Sequence, residues 1–171
     1  MRDAIVVVVR AAVPTLEISA QAPLWLMPMV IGKSYRAIIA RLNALGEAAA
    51  GAPYIRYGGI NWQDLERESK LAALLSMVTR RWDMRIGFPV SKPLAGGGPI
   101  AAGTIPAGTY VETMHRGPYR QMGATYRTMT AWCRENGIAI AGESYEIYLN
   151  DPRATPQTQL ETTVLIPVAS A

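Results

Sequence analysis

Residues 144–152 read Ser-Tyr-Glu-Ile-Tyr-Leu-Asn-Asp-Pro. The tyrosine bracket Tyr145-Glu146-Ile147-Tyr148 predicts a short strand, and Asn150-Asp151-Pro152 the turn that closes it. The same bracket stands earlier as Tyr54-Ile55-Arg56-Tyr57. Each bracket is preceded by a helical stripe headed by a tyrosine. Tyr35 leads Ile38, Leu42, Leu45 and Ala49; Tyr119 leads Met122, Tyr126, Met129 and Cys133. The offsets are three, seven, ten and fourteen in both. Each bracket is also followed by an acidic residue six positions before a Pro-Val pair, Asp83 to Pro89-Val90 and Glu161 to Pro167-Val168. A repeat on this scale decides the fold. Two copies of one unit, related by a pseudo-twofold axis, leave a groove along their seam where a ligand fits.

The expected class is α+β: two strand–helix–strand–strand modules with antiparallel sheet and a central ligand cleft, in one domain over 1–171. The first module spans about 15–90. Its elements are a strand at Thr15–Gln21, a second at Leu24–Ile31 ended by Gly32, and a helix capped by Ser34. That helix runs to about Ala50, before Gly51 and Pro53; strands at Tyr54–Tyr57 and Trp82–Val90 follow. Residues 58–81 have no counterpart and read as an insert, with a helix over 63–75. Residues 91–99, rich in glycine and proline, read as a linker, because no phosphate-loop pattern follows them.

The second module, about 100–168, has strands at Ile100–Thr104, Thr109–His115, Ser144–Leu149 and Gln159–Val168. Its helix begins with Pro118 at the first position and ends at Gly137. The apolar run Ile5–Val9 is too short for a signal or membrane segment, so a cytoplasmic protein is expected. Residues 1–12 form either an extra strand or a tail that pairs with another chain, which leaves a homodimer open.

Composition excludes several function classes. A single cysteine, Cys133, permits neither an internal disulfide nor a cysteine metal site, and it reads as a buried thiol on a helix stripe. The net charge of +4 comes from dispersed bases, the nearest cluster being Arg80-Arg81 with Arg85, and reads as a solvated surface. The only histidine, His115, cannot build a histidine zinc site and reads as a hydrogen-bonded imidazole at a strand–helix junction. No metal and no cofactor are expected. Trp25, Trp82 and Trp132 read first as core residues.

Glu146 is the most unusual residue, a carboxylate in mid-strand where the first copy has Ile55. It shares a strand face with Tyr148. In a pocket it recognises cations by charge, with neighbouring tyrosines adding cation–π attraction, and desolvation raises its pKa. Tyr148, Tyr57 and Ile55 join it as ligand-binding candidates. So do Tyr110 and Glu112 on the strand before the second helix, and Trp132 at that helix's edge. Glu161 either joins Glu146 or is solvated.

These segments together resemble a known family. His115-Arg116-Gly117-Pro118-Tyr119, Trp132, Tyr145 to Pro152 and Ile166-Pro167-Val168 are similar to the GyrI-like small-molecule-binding family, also called the AraC-type effector-binding domain. The resemblance is strong over 105–168 and weaker over 15–90. It implies two modules around a cleft, hydrophobic and often cationic ligands, and a cleft glutamate matching Glu146. The first functional expectation is therefore a stand-alone binder of hydrophobic, cationic small molecules. One alternative is a hydrolase of strained-ring, cyclopropane-type electrophiles using Glu146. Another is a protein-interaction module that acts on gyrase or a separate regulator. Haem-binding proteins of the SOUL type share the fold, with His115 as the ligand that variant would need. About 14 residues precede the first module, too few for a helix-turn-helix domain, so no direct nucleic-acid contact is expected.

Overall fold

The computed structural model describes residues 4–62 and 80–169. Eight strands form one antiparallel sheet in which the tyrosine brackets lie at the centre. The strands are β1 (Val6–Arg10), β2 (Val13–Pro23), β3 (Tyr54–Gly58), β4 (Arg81–Pro89), β5 (Ala101–Ile105), β6 (Gly108–Arg116), β7 (Ser144–Tyr148) and β8 (Glu161–Pro167). Their order across the sheet is β1-β6-β8-β7-β3-β4-β2-β5. The second bracket, β7, pairs with the first, β3, and joins the two modules. On either side of that seam the ladders have equivalent registers. Tyr54 stands opposite Gly87 on β4, and Tyr145 opposite Leu165 on β8. The outermost strands are exchanged: β1, from the start of the chain, lies on β6, while β5, just ahead of β6, lies on β2. The N-terminal strand thus makes its ladder within the chain.

Two helices, α1 (Met27–Ala44) and α2 (Met122–Glu135), pack on one face. The stripes explain why. Ile38 and Leu42 of α1 are buried against Leu16, Phe88 and Val90, while Met122, Met129 and Cys133 of α2 are buried against Val111, Val164 and Ile166. On the other face, Val8 near one edge and Val13 and Ile105 near the opposite edge meet a single cluster with Tyr54, Tyr110, Tyr145 and Leu165. The sheet therefore curls toward that face, as the right-handed strand twist favours.

Several local expectations are corrected. Leu24–Ile31 is not a strand. Leu24–Leu26 is a 3-10 turn, and α1 already starts at Met27 with Pro28 in its first turn. A short apolar run does not distinguish helix from strand, and proline early in the run was the helix-start signal. Gly32 and Ser34 consequently lie inside α1 rather than at its boundary. The helix stops at Ala44 because Gly46 takes a positive φ of 68°, the left-handed cap that Gly51 was expected to supply. Pro118 precedes a 3-10 turn at Tyr119–Gln121 and α2 begins only at Met122. Trp25, in the first 3-10 turn, is 69% exposed rather than core. The expected inserted helix at 63–75 lies outside the described residues.

Gly87 has a steric reason to be glycine. A Cβ there would stand 2.8 Å from both the Leu16 carbonyl oxygen and the Tyr54 ring, and backbone cannot yield as a flexible side-chain end can. Gly87→Ala is expected to lower stability by about 1–3 kcal/mol through overpacking, read as a shifted midpoint in chemical denaturation.

Candidate functional site

The site grows from the β3–β7 seam. Ile55 stands directly opposite Glu146, with Tyr54 opposite Ile147 and Arg56 opposite Tyr145. When one bracket is laid on the other, Ile55 matches Glu146, so this pair is its own image. A hydrocarbon and a carboxylate thus face each other across the seam of the two brackets.

Both side chains point to the helix-bearing face. Glu146 is 7% exposed. It accepts hydrogen bonds from the Tyr126 hydroxyl at 2.9 Å and the Tyr148 hydroxyl at 2.7 Å. The Tyr126 hydroxyl also lies 2.9 Å from Ser144 Oγ. No lysine or arginine among the described residues forms an ion pair with Glu146. Burial pushes its pKa up, and the two tyrosine bonds only partly oppose that rise.

Five of the eight tyrosines gather around this carboxylate: Tyr35, Tyr57, Tyr119, Tyr126 and Tyr148. Each is harder to ionise than a free phenol, first because it is desolvated and further because the charge of Glu146 is near. They therefore remain neutral hydroxyl donors. Two pairs correspond between the tyrosine-headed stripes and brackets of the sequence. The hydroxyls of Tyr57 and Tyr148 are 3.4 Å apart. Tyr119 turns its edge onto Tyr148 at 5.5 Å, while its image Tyr35 reaches in from α1. Outside these rings, Trp62 lies on Tyr126 at 5.6 Å and anchors its indole to the Ala141 carbonyl at 2.6 Å. Trp82 packs edge-on to Tyr57 at 6.2 Å beneath the Arg80 guanidinium.

The two halves differ in polarity. The second copy provides Glu146, Tyr126 and Ser144; at the equivalent positions the first has Ile55, Leu42 and Pro53. The first half's wall is a cluster of Ala22, Met27, Ile55, Met84 and Ile86. Among the described residues, three buried polar atoms on this face have no hydrogen-bond partner: the Tyr35 hydroxyl, the Trp82 indole nitrogen and the Thr162 hydroxyl.

The sequence-derived candidates divide between faces. Glu146, Tyr148, Tyr57 and Ile55 come together. Tyr110 and Glu112 stand on the opposite face, where Tyr110 donates to the Pro106 carbonyl at 2.7 Å and Glu112 binds Arg10 at 2.6 Å. Trp132 packs beside the α2 cluster, and Glu161 pairs with Arg116. His115 is buried, with Nδ1 2.7 Å from the Thr125 hydroxyl. Tyr35, Tyr119 and Tyr126 were missed as site residues although they mark the stripes. The signal was available: a core stripe wants aliphatic side chains, and a phenol there needs a polar partner for its tip. No group of three or more metal-ligating side chains occurs among the described residues, and no helix there is long and apolar enough to cross a membrane.

Comparison with known proteins places this geometry. The sequence over residues 76–169, more than half of the chain, matches the GyrI-like small molecule binding domain. Among curated proteins no sequence matches. The fold is similar to the C-terminal domain of EcmrR (TM-score 0.70, 18% identity, 100% of both chains). It is also similar to a hydrolase from Listeria innocua (TM-score 0.62, 14% identity, 96% of this chain and 91% of that one). A third similar structure is SAV2435 bound to tetraphenylphosphonium (TM-score 0.61, 11% identity, 97% and 94%). At such identities these likenesses establish the fold.

Proposed function

The chain belongs to the GyrI-like small molecule binding domain family, and on that premise we propose that it binds hydrophobic, cationic small molecules in the cleft that holds Glu146. The observation that carries the reading is a buried carboxylate whose polar partners are tyrosine hydroxyls rather than a cation. A buried, unpaired charge is expensive, and a ligand cation supplies the missing countercharge. The surrounding tyrosine rings attract the same cation through their faces, and the Ala22–Met27–Ile55–Met84–Ile86 wall takes its apolar body. The lipophilic cation carried by SAV2435 is of this class.

Isothermal titration with tetraphenylphosphonium tests it. Saturable binding is expected, and Glu146→Gln, which keeps the shape and removes the charge, weakens it by roughly tenfold or more, the scale of one lost charge-assisted contact. Equal affinity of the two proteins would remove Glu146 from the role.

A further inference from the structure

We propose that the cleft also contains a hydrogen-bond-donating subsite, formed by Tyr35 and Trp82, that selects cationic ligands bearing a carbonyl, ester or ether oxygen. The inference rests on the binding reading above and specifies which ligands fit best. Buried polar groups in folded proteins almost always find a partner, and the exceptions call for an explanation. Here the Tyr35 hydroxyl and the Trp82 indole nitrogen are both buried without one among the described residues. Both side chains pack against the apolar cluster that forms the first module's wall, and Trp82 abuts the ring of Tyr57.

The two groups ask for one kind of partner. An indole N–H donates and cannot accept. Burial and the nearby charge of Glu146 hold the Tyr35 phenol in its protonated form, so it too has a hydrogen to give. A water could accept from the same donors, but its own two hydrogens would face a wall that is mostly hydrocarbon. A ligand oxygen satisfies the donors without water. The subsite has no image across the axis: matching Asp83 with Glu161 puts Leu160 where Trp82 stands. The carboxylate belongs to the second copy, whereas the Tyr35 and Trp82 donors belong to the first. A ligand with a cation at one end and an acceptor toward the other therefore binds in one orientation only.

A matched pair of probes separates this subsite from the cation site. Benzoylcholine carries an ester between ring and ammonium; (4-phenylbutyl)trimethylammonium has the same length and charge without it. On the wild-type protein the ester is expected to bind about five- to tenfold more tightly, the scale of one net hydrogen bond. Tyr35→Phe, which breaks no hydrogen bond among the described residues, reduces that ratio, and Tyr35→Phe with Trp82→Phe brings it to about one, whatever either substitution does to the ester-free cation. Glu146→Gln weakens both probes alike and leaves the ratio unchanged. A wild-type ratio of one, or a ratio that survives the double substitution, overturns the subsite while Glu146-dependent tetraphenylphosphonium binding still stands. Failure of both probes and of tetraphenylphosphonium overturns the cation site and the subsite together.

Discussion

Ile55→Glu destabilises the protein by about 3–5 kcal/mol at neutral pH, the usual penalty for an uncompensated buried charge, and most of the loss disappears in acid. Ile55 is fully buried and lies directly across the ladder from Glu146, so the substitution sets two carboxylates against each other at the β3–β7 seam. Cross-strand neighbours have Cβ atoms about 5 Å apart, within range for like charges to repel strongly in a desolvated site. Each carboxyl then has a folded-state pKa above its unfolded value. The sign follows: stability contributed by the protonated forms is complete below the unfolded pKa near 4.5 and is lost as pH rises through the folded values. The deficit of the variant relative to wild type should shrink to that of Ile55→Gln near pH 4 and grow toward pH 7. Ile55→Gln has nearly the same shape and cannot ionise, so its deficit should not vary with pH. Parallel pH profiles for Ile55→Glu and Ile55→Gln would refute the like-charge account.

Cation affinity rises with pH, by up to tenfold per unit, until Glu146 is fully ionised. In the proposed binding mode the cation pairs with the carboxylate, whereas burial favours the carboxylic acid and pushes the Glu146 pKa up. Below the folded-state pKa each binding event must expel a proton, so affinity follows the ionised fraction. Titrations with tetraphenylphosphonium in buffers of different ionisation heat should reveal up to one proton released per ligand at acidic pH. The release shrinks to zero on the alkaline side. Glu146→Gln should show weak affinity with no such slope. In the unliganded protein the same shift acts in the opposite direction. The stability that Glu146 contributes as an acid is present below about pH 4.5 and declines as pH rises through its raised pKa. Added cation should offset that decline. A wild-type affinity independent of pH across this window would mean that Glu146 does not titrate on binding.

The centre of the sheet was legible because register is a two-residue periodicity, and the tyrosine brackets fix it. Tyr54 and Tyr145 meet Gly87 and Leu165 at equivalent places, as the matched distance from each acidic residue to its Pro-Val pair implies. What alternation cannot give is direction. It states that Tyr110 and Glu112 share their strand's faces with Met114, but only pairing shows that those side chains point away from the helices. Glu146 was legible as a mid-strand carboxylate, whereas its partner Tyr126 was absorbed into a helix stripe and counted as core. The exchanged edge strands were not legible either, since nothing in Ile100–Ile105 says that it joins β2 rather than its own copy.

That exchange makes the two halves mutually dependent. β1 leaves the first half to border the second, and β5 leaves the second to border the first, so each half's outer ladder is completed by chain belonging to the other. Opening either half breaks hydrogen bonds in both, as unfastening one side of a clasp frees the other. The halves are therefore expected to unfold as one cooperative unit rather than one after the other.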